Sequence, residues 1–247
     1  EHCDIVVLET GLGGDTDATN IIRTPVMEVL VSISMDHMQF LGNTITEIAR
    51  HKAGIIKPGT VVVSTRQQPE AMRVIEEKAK EQRAELVKAD WTQAENVRYG
   101  IKEQSFSYGG LEDLKIHLAG SYQIPNAVTA VEAAAALQKL GYDIREEHLR
   151  AGLAKTRWRG RFSVLCEKPL FIMDGAHNRD GAQMLKASIE QYFDGKRIIA
   201  ICGMFRDKEY EEVLVLIAPY LSKLIAIETP GNPRALPKEE LAQTAKR

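Results

Sequence analysis

The sequence predicts an α/β protein in two blocks: a mostly parallel sheet domain with a small antiparallel meander, then a smaller α/β domain. Three observations carry this. Short runs rich in Val and Ile alternate with helical patterns, the signature of a parallel sheet with crossover helices. Residues 97 to 118 instead alternate polar and apolar around Gly109-Gly110, which reads as hairpins. From residue 161 the alternation of apolar run and helix resumes.

Element by element, IVVLE (5–9), VLVSIS (29–34), TVVVST (60–65) and ELVKA (85–89) are the expected strands of the first block. TITEIARHKAGII (44–56) and PEAMRVIEEKAKEQRA (69–84) are its expected helices. VRYG, SFSYGG and LKIHLA form the expected meander, followed by helices over 126–140 and 145–155. FSVLCE, LFIMD, RIIAICG and KLIAIE are the expected strands of the second block, with helices near 180–193, 208–221 and 238–246. The basic segment TRWRGR contains Gly160 and is read as a hinge. The expected domains are therefore 1–156 and 161–247, with the hinge at 157–160.

Composition narrows the function. At 247 residues, 44% hydrophobic and 27% charged, the chain has the make-up of a water-soluble globular protein. A net charge of −2 with scattered Lys and Arg argues against a nucleic-acid partner and against a polybasic membrane patch. No apolar run reaches the roughly 18 residues of a membrane span. Cys3, Cys166 and Cys202 match neither a metal spacing nor a disulfide framework, and are expected as buried reduced thiols of a cytoplasmic protein. The chain opens almost at once on an apolar strand pattern and stops inside a helical one, so it is expected to be a fragment cut at both ends.

In open α/β sheets, ligands bind beyond the carboxyl ends of the strands. Glu9 stands at one such end, before the glycine-rich GLGGD. Asp36 and His37 follow another, and Asp174, His177 and Asn178 a third. Glu9 with His37 would make a mixed oxygen and nitrogen metal site. Glu9 could equally cap its turn, and His37 could be a core or helix-entry histidine. The turn does not complete G-x-G-x-x-G, because Thr16 stands at the third position, which disfavours dinucleotide binding.

Lys52 falls on one helical stripe with Ile45, Ile48, Ala49, Ile55 and Ile56. A lysine on an apolar face snorkels, pairs, or is a desolvated reactive or modified amine. Asn126 follows Pro125 and could be a helix N-cap. Arg157, Arg159 and Arg161 are either a solvated linker or guanidiniums aimed at a phosphate.

Seven motifs stand in order: LETGLGGDTDATN, SISMDHMQFLG, EIARHKAGIIKPG, GSYQIPNA, TRWRGRF, IMDGAHNRDGA and GMFRDKE. Together they resemble the folylpolyglutamate synthase and dihydrofolate synthase family of Mur-ligase-like, ATP-dependent amide ligases. The resemblance covers nearly the whole chain. It implies the remainder of a P-loop-type parallel sheet domain followed by a smaller Rossmann-like α/β domain. It also implies an enzyme that joins folate, or dihydropteroate, to L-glutamate through an acyl phosphate, with ATP and Mg2+, in a cytoplasmic monomer.

Residue by residue, the resemblance implies Glu9 and His37 as magnesium ligands and Lys52 as a carbamylated lysine that also holds magnesium. It places Asn126, Arg161 and Asp174 on ATP, with Arg161 reaching the phosphates from the second domain, and His177 in the same nucleotide-facing turn. Lys52, Arg161 and His177 are the expected catalytic residues.

Several residues depart from the family's pattern. Asp15 stands where Arg is usual, Tyr122 where His is usual, Arg179 after DGAHN where Pro is common, and His51 where an acidic residue is common. The family's P-loop is also missing, since no Gly-Lys-[Ser/Thr] occurs in these 247 residues. The resemblance implies that an upstream segment supplies that phosphate cradle and much of the pterin pocket, and that this chain alone is inactive. Two other readings remain at this stage: a Mur-type ligase of peptidoglycan precursors, and a non-catalytic scaffold truncation.

Overall fold

The computed structural model describes residues 3–246. The chain divides into two units. The first comprises 1–94 with 125–151, and the second 95–124 with 152–247. Residues 157–160 thus fall within the second unit.

The first unit holds three parallel strands in the order β1 (Met27–Leu30), β2 (Val61–Thr65), β3 (Glu85–Ala89). Val62 and Val63 of central β2 are fully buried on opposite sides of the strand. This is why β2 reads as a continuous apolar run rather than an alternating one. The crossovers are α2 (Ile45–Ala53), preceded by the short α1 (Met38–Leu41), and α3 (Pro69–Gln82). Thr44 and Glu47 start α2 with a capping box, in which the Thr44 side chain accepts from Glu47 N and the Glu47 carboxylate accepts from Thr44 N. Ile48, Ala49 and Ala53 of α2 pack with Leu30, Ile33, Leu41, Val62, Ala71 and Ile75 in one core.

In the second unit, β4 (Glu95–Arg98), β5 (Gln104–Tyr108) and β6 (Leu111–Ile116) form the expected antiparallel meander. Phe106, Leu114 and Ile116 bury its inner face. β9 (Ile198–Cys202) and β10 (Leu221–Ala226) pair in parallel. They pack with α6 (Arg179–Phe193), α7 (Tyr210–Ile217) and α8 (Lys238–Thr244) around Ala182, Met204, Val213, Leu214, Ile217, Leu236 and Leu241. The helices α4 (Gln123–Lys139) and α5 (Glu146–Lys155) each carry the chain from one unit's residues into the other's.

The structure corrects several expectations. Residues 5–9 form no strand: among the described residues nothing pairs with them, and Val7 is 92% exposed. The strand expected over 29–34 lies at 27–30, leaving Val31 exposed. FSVLCE and LFIMD are strands as expected, β7 (Ser163–Glu167) and β8 (Leu170–Met173), and they pair antiparallel with each other. All three cysteines are free, but Cys3 and Cys166 are exposed rather than buried. Helix α4 begins at Gln123, so Asn126 lies inside its first turn and is not its N-cap.

Candidate functional site

In the first unit, the site is built on the turn that follows Glu9. Asp17 organises this turn. Its carboxylate accepts from Gly11 N (3.0 Å), Leu12 N (2.9 Å), Thr19 N (2.9 Å) and the Thr19 hydroxyl (2.7 Å). The Thr19 hydroxyl and the backbone amides together hold the Asp17 carboxyl down at about 2. Sequence reasoning missed Asp17. The signal was Asp two residues before Thr, a side chain that turns back on its own backbone.

The same turn packs against the end of α2. A Cβ on Gly14 would stand 2.7 Å from the His51 carbonyl and 2.8 Å from that of Lys52. Across the contact, a Cβ on Gly54 would stand 2.4 Å from Asp15 Cβ. Only glycine permits this approach at either position. Asp15, the residue least explained by sequence, donates its backbone N–H to His51 O (3.0 Å), and its carboxylate meets His51 Nδ1 at 2.9 Å. Two departures from the family pattern are therefore partners.

Lys52 is half-buried, and among the described residues its ammonium has no ion-pair partner. His37 is exposed and sits in the left-handed region (φ 53°, ψ 34°), just before α1. That conformation is uncommon for a side chain without local support. Here Asp36 accepts from His37 N at 2.8 Å, and the His37 carbonyl accepts from Phe40 N and Leu41 N. Glu9 is exposed. Among the described residues, no three His, Cys, Asp or Glu side chains converge as a closed metal cage. Glu9 and a carbamylated Lys52 would offer hard oxygen donors, with the His37 imidazole as a less usual nitrogen donor, and leave positions open. That set suits Mg2+, which commonly keeps waters and binds substrate phosphates alongside one or two protein carboxylates.

Asn126 is exposed on the first turn of α4. The other three expected site residues belong to the second unit, in the TRWRGRF and DGAHN segments. Phe162 has φ 47° and is 2% exposed. Its ring lies 5.5 Å from Tyr192 and 6.1 Å from Phe193 of α6. With Phe162 anchored inward, its neighbour Arg161 is left exposed, and its Nη1 lies 2.8 Å from where a Gly175 Cβ would stand. Gly175 thus makes room for the guanidinium beside the DGAHN turn.

Asp174 is a hub within that turn. One carboxylate oxygen accepts from Ala176 N (2.8 Å), the other from Phe162 N (2.8 Å) and the Tyr122 hydroxyl (3.5 Å). Burial first, and then the Asp174 charge, push the Tyr122 phenol well above its ordinary value, so it stays protonated and donates. Asp174 therefore holds Arg161's neighbour in place, a role the sequence did not disclose. His177 Nδ1 lies 2.8 Å from Gly175 O, so in the neutral ring the proton sits on Nδ1 and Nε2 is the acceptor. Asn178 caps α6 by accepting from Gly181 N at 2.8 Å.

Two family models match the chain: the Mur ligase middle domain over residues 1–134, and the Mur ligase glutamate ligase domain over 160–247. The folylpolyglutamate synthase of Lacticaseibacillus casei is 36% identical over 242 residues, which is 95% of this chain and 56% of that protein. The dihydrofolate synthase/folylpolyglutamate synthase of Bacillus subtilis (strain 168) is 37% identical over 220 residues, 85% of this chain and 50% of that protein. A solved FPGS–AMPPCP–folate complex superposes with a TM-score of 0.83 at 32% identity, over 96% of this chain and 59% of that one. The chain thus spans about half the length of these relatives. It belongs to the Mur ligase family, on the branch of the folylpolyglutamate and dihydrofolate synthases.

Proposed function

We propose that this chain is the middle and C-terminal part of an ATP-dependent ligase that adds L-glutamate to folate. Dihydropteroate is a second acceptor in this reading, and the complete protein is a cytoplasmic monomer. The observation that carries it is the packing of the Gly14 backbone on the His51 and Lys52 carbonyls. This contact makes the Glu9 turn and the Lys52 helix one local structure, as a shared magnesium–phosphate site requires. The match to a complex with AMPPCP and folate supports the choice of substrates.

In the proposed reaction, a substrate carboxylate oxygen attacks the γ-phosphorus of ATP, and the bond to the leaving ADP breaks. The amine of glutamate then attacks the acyl phosphate carbon, phosphate leaves and the nitrogen loses a proton. Glu9, His37 and a carbamylated Lys52 would hold magnesium, which when bound would screen the phosphate charges and polarise the phosphoryl group. Within the first unit Asn126 is the proposed nucleotide contact; within the second, Asp174 and His177 are the proposed nucleotide contacts and Arg161 the cation for phosphoryl charge.

The test is a ligation assay of the complete protein with tetrahydrofolate, dihydropteroate and a UDP-linked muramyl acceptor. Glutamate- and ATP-dependent product is expected with tetrahydrofolate. Turnover of the muramyl acceptor alone would sink the reading. In the same assay Lys52→Ala and Arg161→Ala are each expected to lower kcat by about 100-fold. Calorimetric titration with Mg2+ and ATP should show weakened binding in Glu9→Ala. An unchanged isotherm would remove Glu9 from the metal site.

A further inference from the structure

We propose that Asp15 and His51 are positioning residues that latch the turn after Glu9 onto the helix end carrying Lys52. The inference rests on the magnesium role given above to Glu9 and Lys52.

The contact is a two-point one between the same two residues. Asp15 donates its backbone N–H to the His51 carbonyl at 3.0 Å, and its Oδ2 meets His51 Nδ1 at 2.9 Å. One bond would fix a distance; two at different atoms also fix orientation. Asp15 Oδ1 accepts from Thr16 N at 2.9 Å, which holds the carboxylate in its rotamer. On the other side, Asn20 Nδ2 donates to Asp15 O at 2.9 Å and to Gly54 O at 3.4 Å. The latch is thus braced from both directions around the residue that follows Lys52 by two.

Charge points the same way. The last turn of α2 carries Arg50, His51 and Lys52 together. The Asp15 carboxylate places a negative group beside these basic side chains, paired with His51. Both side chains of the pair are 40% exposed. An exposed pair adds little to global stability. What it can do is select one arrangement of turn and helix over neighbouring ones, and that arrangement sets where Glu9 and Lys52 stand.

The test uses the complete protein in five forms: wild type, Asp15→Asn, Asp15→Arg, His51→Glu, and Asp15→Arg with His51→Glu. Two signals are read by NMR. One is hydrogen exchange of the residue 15 amide. The other is the Lys52 carbamate formed with 13C-bicarbonate and Mg2+. Asp15→Arg and His51→Glu are each expected to speed residue 15 exchange at least tenfold and to lower the carbamate signal severalfold. The charge-swapped double variant is expected to return both to within about twofold of wild type. Asp15→Asn keeps a hydrogen-bonding side chain and should fall between. Thermal midpoints should stay within a few degrees throughout, which separates a latch from a folding defect. Unchanged exchange in Asp15→Arg, or a double variant no better than the worse single, overturns the proposal. A wild-type complete protein that forms no carbamate overturns the role of Lys52 instead, and the exchange series still decides the latch.

Discussion

Single residues show most clearly what sequence reveals and what it hides. Lys52 was legible because helical periodicity placed a cation on an apolar stripe, and the structure leaves it half-buried beside Ile48, Ala49 and Ala53. Asp15 was not legible, because its partner lies 36 residues away and no periodicity connects them. The glycines of the turn fall between these cases. Their clustering announced a tight turn, but only the structure shows backbone carbonyls under Gly14 and an aspartate under Gly54. Neither obstacle is the end of a flexible side chain. Gly14→Ala and Gly54→Ala should therefore each destabilise the chain by about 1–3 kcal/mol in urea unfolding. The two changes force open one contact, so the double variant should lose less than the sum. Full additivity would mean that the turn and the helix end are independent.

Two carboxylates should give opposite pH signatures. Asp17 is held at about 2 by hydrogen bonds that favour its ionised form. Its contribution is complete above the unfolded value near 3.8 and fades as pH falls towards 2. Glu28 is 5% exposed; its Oε1 accepts from Lys57 N at 2.9 Å, while among the described residues its Oε2 meets no donor within hydrogen-bond geometry, although the Thr60 side chain lies close enough to the carboxylate to favour its ionised form. Burial raises its carboxyl above the usual value of 4.5. The folded state therefore binds the proton more tightly, and stability from this group is lost as pH rises from the unfolded value through the folded one. Glu28→Gln should add about 1 kcal/mol near pH 7 and nothing near pH 4, read as midpoint shifts in thermal melts. A gain of equal size at both pH values would rule out charge burial as the cause.

At the level of elements, capping and periodicity carried well, and partner-dependent structure did not. Helix α2 was readable from TITE: Thr44 accepts from Glu47 N at 3.2 Å, and Glu47 Oε2 accepts from Thr44 N at 3.0 Å. Thr44→Ala should cost about 1 kcal/mol, seen as a lower urea midpoint at unchanged slope. An unaltered midpoint would mean that packing of Ile48 and Ala49 alone sets this helix start. The segment IVVLE shows the opposite case. Its apolar run satisfies every local criterion for a strand, yet a strand is defined by hydrogen bonds to a neighbour. Among the described residues no neighbour pairs with 5–9. For β7 and β8 the strands were legible as apolar runs but their pairing was not, because runs of four or five residues look alike in parallel and antiparallel pairs.

For the whole molecule, chain order and spatial grouping part company. The meander 95–124 groups with 152–247, not with the sheet that precedes it. Specific bonds account for this. Tyr192 donates to Gln104 at 3.0 Å, Ser121 N donates to Ser188 Oγ at 3.2 Å, and Tyr122 donates to Asp174. Gln104 and Ser188 are fully buried, so separating the two segments would cost Gln104 Oε1 its Tyr192 donor and Ser188 Oγ its Ser121 donor, while Gln104 Nε2 keeps Leu118 O and Gly120 O and Ser188 Oγ keeps Met184 O. A fragment of residues 161–247 lacks the meander and all three partners, Gln104, Ser121 and Tyr122. Three hydrogen bonds at about 1 kcal/mol each, in a segment of that size, correspond to a melting midpoint at least about 10 °C below that of a 95–247 fragment. Near-UV circular dichroism should weaken as well, because Phe162, Tyr192 and Phe193 lose the fixed frame beneath their ring cluster. Equal midpoints for the two fragments would show that 161–247 folds by itself, and that the DGAHN turn owes its geometry to local contacts alone.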